Sequence, residues 1–524
     1  MPPFRLTLIL TALPLLPLTA TGLLAQDSDT ANPAAERGAL PSMQEVEQAW
    51  QRGDYVYVRQ SLQALAEQTD SPLAQYRYGR VLLEGRGGPV DIPAAVTWLE
   101  RAVAQNHIQA STLLARVYLS GTNDGPARDP VRAAELFNGA AARGNTEAQY
   151  YMGLLYRQGT GVDRDLKAAF NWFLAAAEDQ HRDAQYELAR AYSRGEGTEV
   201  NPTEGRRWLE SAASEGHSEA QFFMGYALDT GQGAEKNPTA ALEWFRRSAE
   251  GGYVVAQRWL GRKYLTGEGV QPNPNEAMRW LIEAARNDDV EAFFLLGNAY
   301  SGGLGVETDL QKAWNMYERA SGKGYPPATI AMAKMLEKQQ GDDALAQVVN
   351  MYRKAAEQGG RDAVLYLGKL AGTGQLNGLA PPHLAVPWAI EAASEGDTAA
   401  LDWVRAQAER GLRPARTAYG LWLLEIETDP AAAVGFLRPA AEAGDVEAQF
   451  QMGLLLTKGD GLEQDYVQAH AWLNIAATGG HAEAAKKRGV IGDLMTPEQL
   501  AEAQRVARAF FDHAASAAPV GQTE

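Results

Sequence analysis

Apolar and small residues recur along this chain in two alternating helical rhythms, and one short string sets their register. Ala-Gln-aromatic appears at Ala74-Gln75-Tyr76, Ala148-Gln149-Tyr150, Ala184-Gln185-Tyr186, Ala220-Gln221-Phe222 and Ala448-Gln449-Phe450. Weaker copies begin at Ala110, Ala256, Ala292, Ala328, Ala363, Ala400, Ala415 and Ala484. From Ala148 to Ala328 every step is 36 residues, the length of a helix–turn–helix repeat with a slightly extended loop. With the marker Ala as zero, apolar or small residues fall at 0, +2, +4, +5 and +8, as in Ala148, Tyr150, Met152, Gly153 and Tyr156. That is the spacing of a buried helix face. Gly at +5 (Gly79, Gly153, Gly225, Gly261, Gly297, Gly453) lowers helix propensity, so its recurrence predicts two helices in close approach.

A second helix follows in each unit. It carries an aromatic at +24 (Trp98, Trp172, Trp208, Trp244, Trp280, Trp472) and then an Ala pair, as in Ala212-Ala213. These Trp residues are expected in the repeat core. The helix start is marked at +17 by Asp or Asn, followed at once by Pro in Asn201-Pro202, Asn237-Pro238 and Asn273-Pro274. An Asx N-cap with Pro at the first helical position is a start signal. The pattern predicts an all-α chain: a right-handed α/α superhelical solenoid of about twelve helix–turn–helix repeats, each burying its apolar face against its neighbours.

The expected organisation is a signal peptide over 1–25, a disordered linker over 26–42 and a capping helix pair over 43–73. The repeat array then covers 74–371, with further repeats over 416–490, a capping helix over 491–512 and a disordered tail over 513–524. Between the two blocks, residues 372–415 break the register. They hold the loop Gly378-Leu379-Ala380-Pro381-Pro382, and Ala400 to Ala415 is only 15 residues, room for one helix. A kink or sub-array boundary is expected there. Arg5 is the only charge in the first 25 residues, and a run of Leu, Ile, Thr, Ala and Pro ends at Ala25. This is the pattern of a secretory signal cut after Ala25 or Ala20; Pro14 and Pro17 make it a poor membrane span.

The chain resembles the Sel-one-like repeat (SLR) family of tetratricopeptide-like solenoids. The resemblance rests on Ala-Gln-Tyr-x-x-Gly, the Gly-x-Gly loop and the Trp-then-Ala-Ala second helix, over about residues 74 to 490. It implies an adaptor or scaffold, with analogy to envelope assembly, exopolysaccharide secretion or signalling. Some relatives are cysteine-rich. This chain has no cysteine, so stacking alone must hold it.

Charge and candidate chemistry narrow the function. Net charge is −17, which repels nucleic acid and anionic membrane. The recurring Gly-x-Gly (Gly159/Gly161, Gly195/Gly197) is read as turn geometry, because it follows a helix and not a strand. Four of seven histidines, His107, His181, His217 and His481, share position −3, where Asn145, Asp289 and Asp445 stand in other units. The slot asks for a turn or cap residue. No catalytic, cofactor or metal site is expected. Export adds the periplasm of a Gram-negative bacterium as the expected location, with no membrane span in the mature chain.

What stands out is the side of the first helix away from the repeat core. Position +3 holds Tyr151, Phe223, Trp259, Leu295, Tyr366 and Trp403; position +6 holds Arg80, Arg116, Arg190, Arg262, Lys334 and Lys369. Aromatics beside Arg are the composition of interface anchors. Tyr151, Arg190, Phe223, Trp259 and Arg262 are therefore the candidate partner-binding residues, for a protein or extended peptide. The same residue types would also arise from packing between helices and a solvated cationic face. Carbohydrate or peptidoglycan binding on the aromatic row, with or without hydrolysis, is the alternative.

Overall fold

The computed structural model describes residues 40–517 apart from Gly233 and Gly303. The signal segment with its cleavage sites, most of the expected linker and residues 518–524 lie outside the described residues. The described residues form 27 α-helices, one 3-10 turn (Gly341–Ala344) and no strand. Contacts divide the chain into two units, one ending at Leu260 and one beginning at Gly261.

In the first unit the helices are α1 (Met43–Gln51), α2 (Tyr55–Gln68), α3 (Pro72–Glu84), α4 (Ile92–Ala104), α5 (Ile108–Ser120) and α6 (Pro130–Ala141). They continue with α7 (Thr146–Gln158), α8 (Leu166–Glu178), α9 (Arg182–Arg194), α10 (Pro202–Ser214), α11 (Ser218–Thr230) and α12 (Pro238–Glu250). The unit boundary falls within α13 (Val254–Thr266). The second unit holds α14 (Pro274–Arg286), α15 (Val290–Ser301), α16 (Leu310–Gly322), α17 (Pro326–Gln340), α18 (Leu345–Glu357), α19 (Arg361–Gly372) and α20 (Pro382–Ser394). It ends with α21 (Thr398–Glu409), α22 (Arg413–Glu425), α23 (Pro430–Glu442), α24 (Val446–Lys458), α25 (Tyr466–Thr478), α26 (Ala484–Gly492) and α27 (Pro497–Ala517).

Within each unit, neighbouring helices in sequence pack as pairs, and each pair packs on the next. The break in register is α21, a single helix set between the pairs α19–α20 and α22–α23. Helix α27 runs on to Ala517, past the end expected near residue 512. At the other end Ser42 and Glu45 make a reciprocal capping box on α1.

Each element of the repeat string has a job in this packing. The marker Ala is fully buried in every repeat; in α7, α9 and α11 it is Ala148, Ala184 and Ala220. The Gln after it is buried and turns back to the previous repeat. Its Nε2 donates to a carbonyl eight residues upstream, at 3.0–3.5 Å, in Gln149, Gln185, Gln221, Gln257 and Gln449. Those carbonyls (Ala141, Ala177, Ala213, Ala249, Ala441) lie at helix C-termini, where each also accepts the backbone N–H three residues on.

Gly at +5 is where the two helices of a pair meet. A Cβ built on Gly153 would stand 2.5 Å from the Phe173 ring, and one on Gly225 would stand 2.9 Å from the Phe245 ring. The residue that fills this space is at +25, one place beyond the Trp. Phe173 and Phe245 are buried, whereas Trp98, Trp172, Trp208 and Trp244 are half-buried and only Trp280 of the six is buried. The expectation of a buried +24 row is corrected accordingly. The +24 ring lies one position around the helix. It packs at the edge of its own pair, as Trp98 does edge-on against Tyr78 of α3, and Trp208 borders a cluster of Phe173, Ala184 and Leu188 that spans two repeats. Arginines stack over the outer faces of several of these rings: Arg101 on Trp98 at 4.4 Å, Arg207 on Trp208 at 4.5 Å and Arg247 on Trp244 at 5.1 Å.

The Gly-x-Gly loop proves to be more than a turn. Its second Gly has a positive φ (Gly161 +71°, Gly197 +76°) and also presses on the preceding repeat. A Cβ on Gly161 would overlap the Pro130 carbonyl at the start of α6, and one on Gly197 would overlap the Leu166 carbonyl at the start of α8. Backbone meets backbone there, which no side chain could allow.

Candidate functional site

The first helices α7, α9 and α11 carry a run of aromatic residues, most of them buried or half-buried. Tyr186 of α9 lies 6.4 Å from Phe223 of α11, ring centroid to ring centroid, in a stacked arrangement. Phe222 meets Phe223, Tyr226, Phe245, Tyr253 and Trp259 at 5.4–6.4 Å. Upstream, Tyr151 stacks on Phe137 at 4.8 Å and meets Tyr150 edge-on. The helical pitch brings these rings together because +2 points into the repeat core and +3 lies at its rim.

The candidate residues do not behave alike. Phe223 is open, at 36% exposure. Tyr151 is half-buried, and desolvation raises its hydroxyl above the ordinary tyrosine value. Trp259 is half-buried against Phe222, Tyr226 and Phe245, so it works as packing between repeats at least as much as surface. Arg190 donates to Glu187 at 2.9 Å, and Arg157 pairs with the same carboxylate oxygen. Arg262 stands half-buried on α13, beyond the unit boundary.

A continuous aromatic–cation strip is therefore not what α7–α11 present. In the middle repeat, +3 is Glu187, which is buried and held by two guanidiniums. Other +6 cations are likewise paired: Arg80 with Glu84 at 2.6 Å, and Arg116 with Glu147 of the next repeat at 3.1 Å. Arg80–Glu84 and Arg190–Glu187 are pairs within one helix, at i,i+4 and i,i+3, whereas Arg116–Glu147 and Arg157–Glu187 cross from one repeat to the next, beyond the helical projection of one unit.

The shared histidine slot is a cap with a stacking role. In His107, His181 and His217 the ring Nδ1 accepts the N–H of the marker Ala, at 3.1–3.3 Å. Each ring also stacks on the +2 aromatic of the preceding repeat: His107 on Tyr76, His181 on Tyr150 and His217 on Tyr186, with centroids 4.4–4.8 Å apart. His481 stacks on Phe450, but its Nε2 faces Glu447 at 3.2 Å and it caps no helix. Among the described residues no three His, Asp or Glu are placed to hold a metal ion, and no helix is long and apolar enough to cross a membrane.

A Sel1 repeat profile matches residues 72–107, 108–145, 146–181, 182–217, 218–253, 254–289, 290–325, 349–360, 406–445 and 446–481. The chain belongs to the Sel1 repeat family. Sel1 repeat proteins generally mediate protein–protein interaction and are typically not enzymes. Among solved structures, the chain is similar to c5321, a protective antigen of uropathogenic Escherichia coli with an SLR fold. The identity is 26% and the TM-score 0.53, over 89% of this chain and 98% of that one. A Sel1 repeat protein from Oxalobacter formigenes is 27% identical with a TM-score of 0.38, over 54% of this chain and 100% of that one. No curated protein sequence matches. Over 72–325 and 446–481 the Sel1 boundaries run from the first helix of each pair to the −3 slot of the next, so the residue in that slot, His or Asx in six of these eight matches, stands at the seam between repeats.

Proposed function

We propose that this chain is an exported Sel1 repeat scaffold, working in the periplasm of a Gram-negative bacterium, that binds a protein or extended peptide on the aromatic face of α7, α9 and α11. Phe223 carries the reading. It is a large ring left open at the rim of a packed aromatic cluster, stacked on Tyr186 and edge-on to Phe222, which in turn meets the half-buried Trp259. A rigid aromatic that loses little side-chain entropy on binding is the usual interface anchor. Tyr151 extends the face upstream, and Arg190, oriented by Glu187, borders it. Arg262 takes no part in this reading, because it lies on the far side of the unit boundary. The amino-terminal pattern of Arg5 followed by an apolar run to Ala25 supports export. Envelope assembly, exopolysaccharide secretion and signalling are the settings in which such a scaffold would serve.

A photo-crosslinking residue placed at Phe223, and separately at Val131, tests the face in living cells. Val131 is 58% exposed but lies on the second helix of another repeat. A discrete protein adduct from position 223 alone supports the reading. No adduct, the same adducts from both positions, or a glycan adduct would contradict it. Export is checked by sequencing the amino terminus of the native protein, which should begin at or near Gln26; an intact Met1 in the cytosol would refute it.

A further inference from the structure

The seam between repeats is capped by different residues in different places. Helices α5, α9 and α11 are capped by His107, His181 and His217, whereas α7, α15, α21 and α24 are capped by Asn145, Asp289, Asp397 and Asp445. Both kinds of cap make the same bond to the marker Ala. Asn145 Oδ1 accepts from Ala148 at 2.8 Å, and His181 Nδ1 accepts from Ala184 at 3.3 Å. The bond is the same but its chemistry is not. An imidazole accepts at Nδ1 only while it is neutral, and an asparagine accepts at any pH.

Protonation would convert Nδ1 from an acceptor into a second donor, pointed at a helix N-terminus that already bears partial positive charge. The cap would be lost and the charge unfavourably placed. The protonated ring would also stand as a cation over the preceding repeat's tyrosine, an attraction that offsets only part of the lost cap. At His217 that tyrosine is Tyr186, which stacks in turn on Phe223. The His217 side chain keeps 16% exposure and borders a shallow hollow with Arg182, Asp183, Gly216, Ser218 and Glu219. A proton can therefore reach it.

The charged surroundings do not cancel the effect. Burial is the largest influence on all three rings and holds each below the ordinary histidine value. It acts alone at His107. At His181, Asp183 and Glu147 favour the proton and Arg182 opposes it. At His217, Asp183 (3.8 Å from Nε2), Glu219 and Glu187 favour it and Arg182 opposes it. A ring held neutral in the fold contributes stability that is present above the unfolded value, near pH 6.5, and is lost as pH falls below it toward the folded value.

We propose that His107, His181 and His217 make the stretch from α5 to α11 an acid-sensitive joint, which loosens its repeat seams on protonation while the Asx-capped seams stay closed. Taken with the binding face proposed above, acid would free Tyr186 and disorder the ground on which Phe223 stands, so that a partner held at neutral pH is released. Nearest-neighbour stacking keeps the loosening local.

Hydrogen exchange on the full chain tests the joint without any partner, so the proposed binding face can fail while the joint stands, and the reverse. Wild type and the triple variant His107→Asn, His181→Asn, His217→Asn are compared at pH 7.5 and 5.5, after correction for intrinsic exchange. Asn145 already fills the same slot in this chain, so the variant keeps a native type of cap. In wild type, the opening constant for the first turns of α5, α9 and α11 should rise about fivefold or more at pH 5.5, the size of a lost cap. The first turn of α7 should not change, nor should any of these segments in the variant. Equal loss of protection in wild type and variant, or loss in neither, overturns the joint. Ring titrations by NMR are independent of the variant: rings titrating below 6.5 support the joint, and any of the three titrating at or above 6.5 overturns it.

Discussion

Gly161→Ala isolates the contact that joins one repeat to the next. Two penalties fall on it. An L-residue at φ +71° pays the left-handed cost of about 1–2 kcal/mol. The new methyl would also overlap the Pro130 carbonyl and stand 3.0 Å from the Val131 amide, both backbone atoms that cannot rotate away. Relief requires the loop to lift off α6, and overpacking of this kind adds about 1–3 kcal/mol. Gly144→Ala is the control. Gly144 has φ +82° with nothing within 4 Å of a Cβ, so it should lose only the left-handed term. Gly161→Ala should therefore cost roughly 2–5 kcal/mol against about 1–2 for Gly144→Ala. Urea unfolding followed by far-UV circular dichroism gives the two values. Hydrogen exchange should place the extra loss at the seam of α6 with the 159–165 loop. If the two variants differ by less than about 0.5 kcal/mol, the loop is only a turn and the account of the repeat seam is wrong.

Three other outcomes follow from particular bonds. Gln221→Ala removes the 3.0 Å Nε2 bond to the Ala213 carbonyl, which keeps the Gly216 N–H at 3.1 Å, and should cost about 0.5–1.5 kcal/mol by chemical denaturation; a neutral result would mean that the amide adds nothing to the seam. Trp259→Ala should destabilise by about 1–3 kcal/mol, because the ring packs on Phe222, Tyr226 and Phe245; an unchanged melting curve would return Trp259 to the role of a pure surface anchor. Phe245→Ala should cost about 3–5 kcal/mol and Trp244→Ala less, since Phe245 is fully buried and Trp244 half-buried under Arg247; the reverse order would restore the +24 row to the core.

The repeat, its period and its helix starts were legible in the sequence because each unit restates them. Ala148, Gly153, Asp165 and Gly159 carry their meaning in local geometry, and local geometry is what a periodic string reveals. The family and the single helix in the broken register came from the same source. What escaped was everything that joins one repeat to another. Gln149 looked like part of a marker, yet it satisfies a carbonyl of the preceding helix. Trp208 looked like core because it is large and recurrent, but the ring is half-buried under Arg207. The cations at +6 looked open, yet Arg116 pairs with Glu147 and Glu187 holds both Arg190 and Arg157. Arg116–Glu147 and Arg157–Glu187 join residues 31 and 30 positions apart, which one unit's projection does not contain.

The central claim is that Phe223 anchors a partner on a face the array holds rigid. Its most direct test is the affinity of the crosslinked partner, once purified, for wild type and Phe223→Ala by calorimetry at pH 7.5. With 36% of Phe223 already exposed, truncation should leave the melting temperature nearly unchanged while weakening binding about thirtyfold, the loss of one anchor of about 2 kcal/mol. Full retention of affinity, or a loss of affinity that only follows a loss of fold, would contradict it.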